Sequence, residues 1–215
     1  MRNISRRQYI SAGALVVIVV LSVLAYRIYF SWQFSHIYET YNTLSRTHVT
    51  AAFLPATNDN PLRQELNRTL ATVLAEDMPS TERLKRAERG LTLLNDLEKQ
   101  IDAIGEAGEA VSQSIHEMEA RASGTERQEV VSLALERLRI IGDIRGLSYR
   151  AGYHTAEIFN RVIADGGALT KEHITDLNNQ IPLVEEQFDR RAGLYSELES
   201  IGSTINRTVE RLPMF

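Results

Sequence analysis

Five histidines, His36, His48, His116, His154 and His173, are the residues of this 215-residue chain best suited to metal or proton chemistry. An H-E-x-x-H pair would put two imidazoles on one helix face around zinc, and Glu-x-x-His pairs would build a di-iron centre inside a bundle; the sequence contains neither. With no cysteine there is no thiol nucleophile, thiolate metal site, disulfide or covalently attached c-type haem. A glycine-rich phosphate loop and a G-x-S-x-G nucleophile elbow are also missing. Glu117 and Glu119, and Glu185, Glu186 and Asp189, cluster along the chain. Acid–base work needs carboxylates in opposed environments, and these clusters read as solvated helix faces. The expectation is no catalytic residue, no metal and no cofactor.

Two groups merit a structural look. Arg145, Tyr149, Arg150, Tyr153 and His154 fall within a few turns of one helix and could line a pocket for an anion or small ligand; the simpler reading has their apolar parts covering the edge of a core. Gly105, Gly108, Gly142, Gly146 and Gly152 interrupt helical segments where glycine costs stability relative to alanine, which implies close approach of another element. That element is either an external helix docking on the bundle or the facing helix of the same hairpin.

What must position these residues begins with a membrane segment. Tyr9 to Tyr26 reads YISAGALVVIVVLSVLAY, with no charge and no proline, and would make a helix about 27 Å long. Arg27 can snorkel, and Tyr29, Phe30 and Trp32 supply an aromatic belt that completes the span. Arg2, Arg6 and Arg7 precede the run, so positive-inside logic places residues 1–8 in the cytoplasm, 9–30 in the inner membrane and 31–215 in the periplasm or its equivalent. Ser5-Arg6-Arg7 resembles the start of a twin-arginine export signal, and the acid-free, Arg-rich start suits a mitochondrial presequence. The long apolar run and the absence of a small-x-small site after it favour an uncleaved anchor.

All 28 acidic residues lie beyond residue 30, where they face 20 Lys and Arg, a formal charge of −8. Such a body has no electrostatic reason to bind nucleic acid. Its apolar residues recur at helical spacing with no strict alternation, so the expected fold is all-α: an elongated antiparallel bundle. The first helix continues out of the membrane through Phe34, Ile37, Tyr41, Leu44 and His48 to about Leu54. Residues 55 to 61 form a loop, and Asn60 caps a short helix that has Pro61 at its first position. Three long helices follow, over about 81–122, from 125 to Gly166-Gly167, and from about 170. Leu84, Ala87, Leu91, Leu94, Ile101, Ile104, Val111, Ile115 and Met118 mark the seam of the first. Thr125 and Gln128 have the form of a capping box. Leu147 and then Phe159 and Val162 continue the stripe of the second, and Pro182 should kink or split the third. The membrane-emergent and short helices fill the fourth side.

The functional expectation is a non-enzymatic, single-pass, signal-anchored scaffold or accessory subunit. It would act by helix–helix contacts with copies of itself or within a larger membrane complex. The alternative is ligand sensing, because a helical bundle beside a membrane helix resembles in layout the ligand domains of chemoreceptors and sensor kinases. A sensor of this plan would signal through a partner, since about eight residues precede the apolar run.

Overall fold

The computed structural model describes residues 6–56, 60–75 and 77–212. They form α1 (Arg6–Phe53), a 3-10 turn (Leu54–Ala56), α2 (Pro61–Val73), α3 (Ser80–Glu119), α4 (Thr125–Ala164) and α5 (Lys171–Glu210), with no strand among the described residues. The chain is an all-α bundle, and its three 40-residue helices are each about 60 Å long.

α1 serves two environments without a break. From Leu15 it is long and apolar enough to cross a membrane, and its large apolar side chains from Leu15 to Leu24 are half or more exposed. From Ser31 onward a helical stripe of Ser31, Phe34, Tyr41, Ser45, His48 and Ala52 is buried, with half-buried Ile37 and Tyr38 filling the gap between Phe34 and Tyr41. That stripe packs on α3, which runs antiparallel to it: Arg121 reaches Gln33 at one end and His48 lies against Gly108 further along. α3 also packs on α2 and α4, and α4 packs on α5. Tyr38 and Asn206 join α1 to the end of α5, and the Tyr195 ring stacks on Phe53 with centroids 4.1 Å apart.

α1 stops at Phe53, beside the middle of α3, and α2 continues the same pillar. Asn60 makes the joint. Its side-chain oxygen accepts from the Leu62 and Arg63 amides, and its Nδ2 donates to the Leu54 carbonyl at 3.0 Å and to Gln100 Oε1 at 2.9 Å. The expected Asn60–Pro61 start is thus formed, and the same side chain fixes α2 to both neighbours. The apolar interior divides at this level. One cluster holds Phe34, Tyr41, Ile104, Ile115, Ile140, Ile144 and Leu198; the other holds Leu66, Val73, Ala87, Leu93, Leu97, Phe159 and Val162.

The far end is closed by Arg83, only 4% exposed. Its guanidinium donates to the carbonyls of Val73 at 3.0 Å, Ala75 at 2.7 Å and Gly167 at 3.0 Å, tying the end of α2 to the α4–α5 turn. Gly167 has φ +82 and lies so close to the Ser80 carbonyl that no side chain would fit. At the other end Arg127 donates to Ser31 Oγ and lies over the Phe34 ring, 5.4 Å from its centroid.

Three local expectations differ from the structure. The seam of α3 runs through Arg83, Gly90, Leu93 and Leu97, whereas Leu84, Leu91 and Leu94 are half-buried, because α3 is flanked by α2 as well as α4 and buries a wider face than one heptad stripe. No capping box forms: Gly124, at φ +94, is the cap of α4, and no side chain bonds there. The expected split at Pro182 does not occur: α5 continues through it as one helix. Pro182 is exposed, so the carbonyl freed one turn earlier can be met by water. In the α5 stripe, the side chains of Ile174, Leu177, Ile181 and Phe188 lie outside the described residues.

Replacing Arg83 with Met leaves three carbonyls without their donor. The expected cost is about 3 kcal/mol, a fall of roughly 6–12 °C in Tm by calorimetry. Asn60→Ala is expected to cost about 1–2 kcal/mol through loss of the cap.

Candidate functional site

Where the two apolar clusters meet, the bundle is under-filled. A pocket of about 470 Å³ opens between the 3-10 turn, α2, α3, α4 and α5, within the range of about 300–1,000 Å³ usual for small-ligand sites. The cause lies in α4. Its flanking core residues are large, Ile140, Ile141 and Ile144 before and Ile158, Phe159 and Val162 after. Between them α4 lines the pocket with five small residues, Ser148, Ala151, Gly152, Thr155 and Ala156, together with Tyr149, whose hydroxyl bonds Asp102, and the exposed Tyr153. A Cβ on Gly152 would meet nothing within 4 Å.

Leu66, Leu70, Leu94, Leu97, Ile101 and Val184 make the apolar walls. Among the exposed lining residues are Asn67, Glu98 and Tyr153, the last 62% exposed. Two arginines supply charge. Arg63 comes from the first turn of α2, and Arg191, 6% exposed, comes from α5 and donates to Ser148 Oγ at 3.2 Å. Burial depresses the pKa of both guanidiniums, and Arg63 depresses that of Arg191 further. Tyr195 lies in the field of the same pair: burial raises its pKa, and the two arginines pull it down. Its hydroxyl donates to the Ala52 carbonyl at 3.0 Å, in the last turn of α1.

The candidates from the sequence are distributed as follows. Tyr149 and Tyr153 line this pocket; Arg145, Arg150 and His154 do not. Arg145 and Tyr149 both bond Asp102 and so clasp α3 to α4, with burial the largest cause raising the Tyr149 pKa. His154 faces Glu157 at 3.7 Å, one turn along α4. Gly105 admits the Arg145 guanidinium and Gly108 admits the His48 ring, 3.2 Å from where a Cβ would sit, so these two serve intramolecular packing. Gly142, Gly146 and Gly152 face open space, and only Gly152 belongs to the pocket.

At the membrane segment Arg27, Tyr29 and Trp32 are exposed, and Phe30 is half-buried with its ring 4.5 Å from that of Tyr26. Arg2 lies outside the described residues, as do the side chains of Arg6 and Arg7. The sequence reading missed Arg63, Arg191 and Gly90, the last of which gives room to the Phe159 ring. The available signal was the break in the apolar stripe of α4 between Leu147 and Phe159.

Among the described residues, no three His, Asp or Glu side chains gather as a metal site. Compared with known protein families, curated proteins and solved structures, the chain matches none. Its functional reading rests on its own chemistry.

His48 is 2% exposed, with Nδ1 unbonded. Burial lowers its pKa, nearby Arg137 lowers it further, and the Ile104 backbone opposes both. Below the unfolded value of about 6.5, the unfolded chain binds a proton that the folded chain resists, so stability falls as pH drops from 7 towards 5. His48→Gln is expected to flatten that part of the denaturation-midpoint profile, measured in urea at each pH.

Proposed function

We propose that this chain is a single-pass, signal-anchored protein of the inner membrane whose periplasmic bundle works without catalysis as a scaffold or accessory subunit. The observation that carries the reading is α1, which leaves its exposed apolar stretch and enters the bundle core as one unbroken helix. A helix shared in this way holds the bundle in a defined orientation to the bilayer, as a subunit needs for docking beside other membrane proteins. Arg2, Arg6 and Arg7 ahead of the apolar run support a cytoplasmic N-terminus. The partners are the lipid bilayer and either further copies of the chain or a larger membrane complex. Leu135 and Leu183, each 39% exposed, and the open glycines of α4 leave helix surface for such contacts.

One observation favours a second reading, ligand sensing through a partner protein. The pocket is bordered by Pro55, in the 3-10 turn just beyond the end of α1. An occupant would therefore lie beside the turn that follows the helix leading to the membrane.

The intact protein, purified from its own membranes in mild detergent, is expected to elute with stoichiometric partners or as a defined oligomer, identified by mass spectrometry and light scattering. A monomer that recruits nothing in native-like membranes overturns the scaffold reading. A single cysteine placed at Ser35 is expected to react with a membrane-impermeant maleimide in whole cells whose outer membrane is permeabilised, and one placed at Ser5 is not. The reverse pattern overturns the orientation.

A further inference from the structure

α1 leads away from its apolar stretch, α3 runs back toward it, α4 leads away again and α5 returns. The α3–α4 turn and the end of α5 therefore lie at the end of the bundle nearest that stretch. Side-chain contacts fix their height above it. Arg127 donates to Ser31 Oγ, and Ser31 is about 7.5 Å along the helix from Tyr26. Arg121 Nε donates to Gln33 Oε1 at 3.2 Å, and Gln33 Nε2 in turn donates to the Tyr29 hydroxyl at 2.6 Å. Tyr29 and Trp32 are exposed aromatic residues directly after the apolar run, where such rings mark the level of lipid headgroups. The headgroup layer on each side of a bilayer is about 5–8 Å deep, so groups bonded to Ser31 and linked to Tyr29 fall within it.

The chemistry of this end suits that position. Ser123, Gly124, Thr125 and Glu126 at the turn are exposed, and a Cβ on Gly124 would meet nothing within 4 Å. Arg121 and Arg127 stand half-buried beside them. Arg211, exposed, is about 7.5 Å further toward the membrane than Asn206, whose side chain accepts from the Tyr38 hydroxyl. Glu126 and Glu210 adjoin these arginines in the chain, and Glu117, Glu119 and Glu129 lie further back along their helices. Three arginines thus stand with two carboxylates, in a body of 20 basic and 28 acidic residues. A guanidinium matches a phosphate with paired donors. Because α1 tethers the turn within reach of the headgroups, contacts too weak to recruit a free protein suffice to seat it.

We infer that this end of the bundle docks on the phospholipid headgroups of the membrane that α1 enters, with Arg121, Arg127 and Arg211 on lipid phosphates. The inference rests on the reading of α1 as a membrane anchor, and it fixes the bundle to the bilayer through α3, α4 and α5 as well as α1.

The chain has no cysteine, so single cysteines carry nitroxide labels without background. In the full chain in phosphatidylglycerol nanodiscs, labels are placed at Ser22 in the apolar run, at Ser123 in the turn and at Ala164, the opposite end of α4, about 60 Å away. A nickel chelate carried on a lipid headgroup is expected to relax the Ser123 label and to leave the Ala164 label unaffected. The Ser22 label is expected to be reached by oxygen and shielded from a water-soluble nickel chelate. A Ser22 label open to the soluble chelate would overturn the anchor and the docking with it. A shielded Ser22 label with Ser123 no more relaxed than Ala164 would overturn the docking alone.

Thermal unfolding tests the arginines. Tm is expected to be higher in phosphatidylglycerol nanodiscs than in digalactosyl diacylglycerol nanodiscs, whose headgroups hold no phosphate. Arg121→Gln, Arg127→Gln and Arg211→Gln are each expected to reduce that difference by about 2–4 °C. The two lipids are compared within each variant, so a change in intrinsic stability cancels, and Arg211 is exposed, so its replacement leaves the core intact. Equal Tm in the two lipids, or a difference that survives all three substitutions, would overturn the phosphate contacts.

Discussion

The fold turns on the point where α1 ends. A helix that begins in an apolar segment and enters the bundle from one end extends only to Phe53, beside the middle of α3. α3, α4 and α5 continue for several more turns, so the remaining length of that side has to be covered by a second helix. Two helices meeting end to end leave orphan carbonyls on one and orphan amides on the other. Here Asn60 meets both, through Leu54 on one side and Leu62 and Arg63 on the other, and Tyr195 takes the Ala52 carbonyl. The division of the apolar interior into two clusters, and the pocket between them, lie at the same level.

The ends of the bundle are held by arginine through hydrogen bonds to backbone carbonyls, a hydroxyl and an amide, and through an aromatic face. Arg83 places three donors on backbone carbonyls from two separate turns. Arg127 rests on a serine hydroxyl and an aromatic face, and Arg121 on Gln33 and the Glu117 carbonyl. Such bonds remain useful at any salt concentration, whereas the surface ion pairs, most with side chains about half exposed, contribute little. Lysine, with one compact ammonium, could not span three carbonyls. The preponderance of arginine over lysine, 21 to 3, thus has structural consequences at the bundle ends.

Much of this architecture was legible because it depends on local chemistry. The apolar run, the helical spacing, the Asn60–Pro61 start and the Gly166-Gly167 stop each follow from a few adjacent residues, and each appears where expected. Errors arose where a residue's neighbours come from elsewhere in the chain. Thr125 and Gln128 have the composition of a capping box, yet Gly124 caps the helix instead. Leu91 and Leu94 fit a heptad seam, but a helix with partners on two sides buries Gly90, Leu93 and Leu97. Equivalent-looking glycines separate in the same way: Gly105 and Gly108 face a guanidinium and an imidazole, and Gly142 and Gly146 face open space.

Helical content, the places of the long helices and a segment apolar enough for a membrane can all be read from the chain, because hydrophobic period and turn chemistry are properties of contiguous residues. The chain also places Arg145, Tyr149, Arg150, Tyr153 and His154 together, as i, i+4 neighbours on α4. That Tyr149 and Tyr153 share a cavity with Arg63 and Arg191, which lie 86 and 42 residues from Tyr149 in the chain, follows from the packing of the helices alone. A pocket is space left between elements, fixed by the register in which four helices pack, and no one-dimensional pattern encodes that register directly.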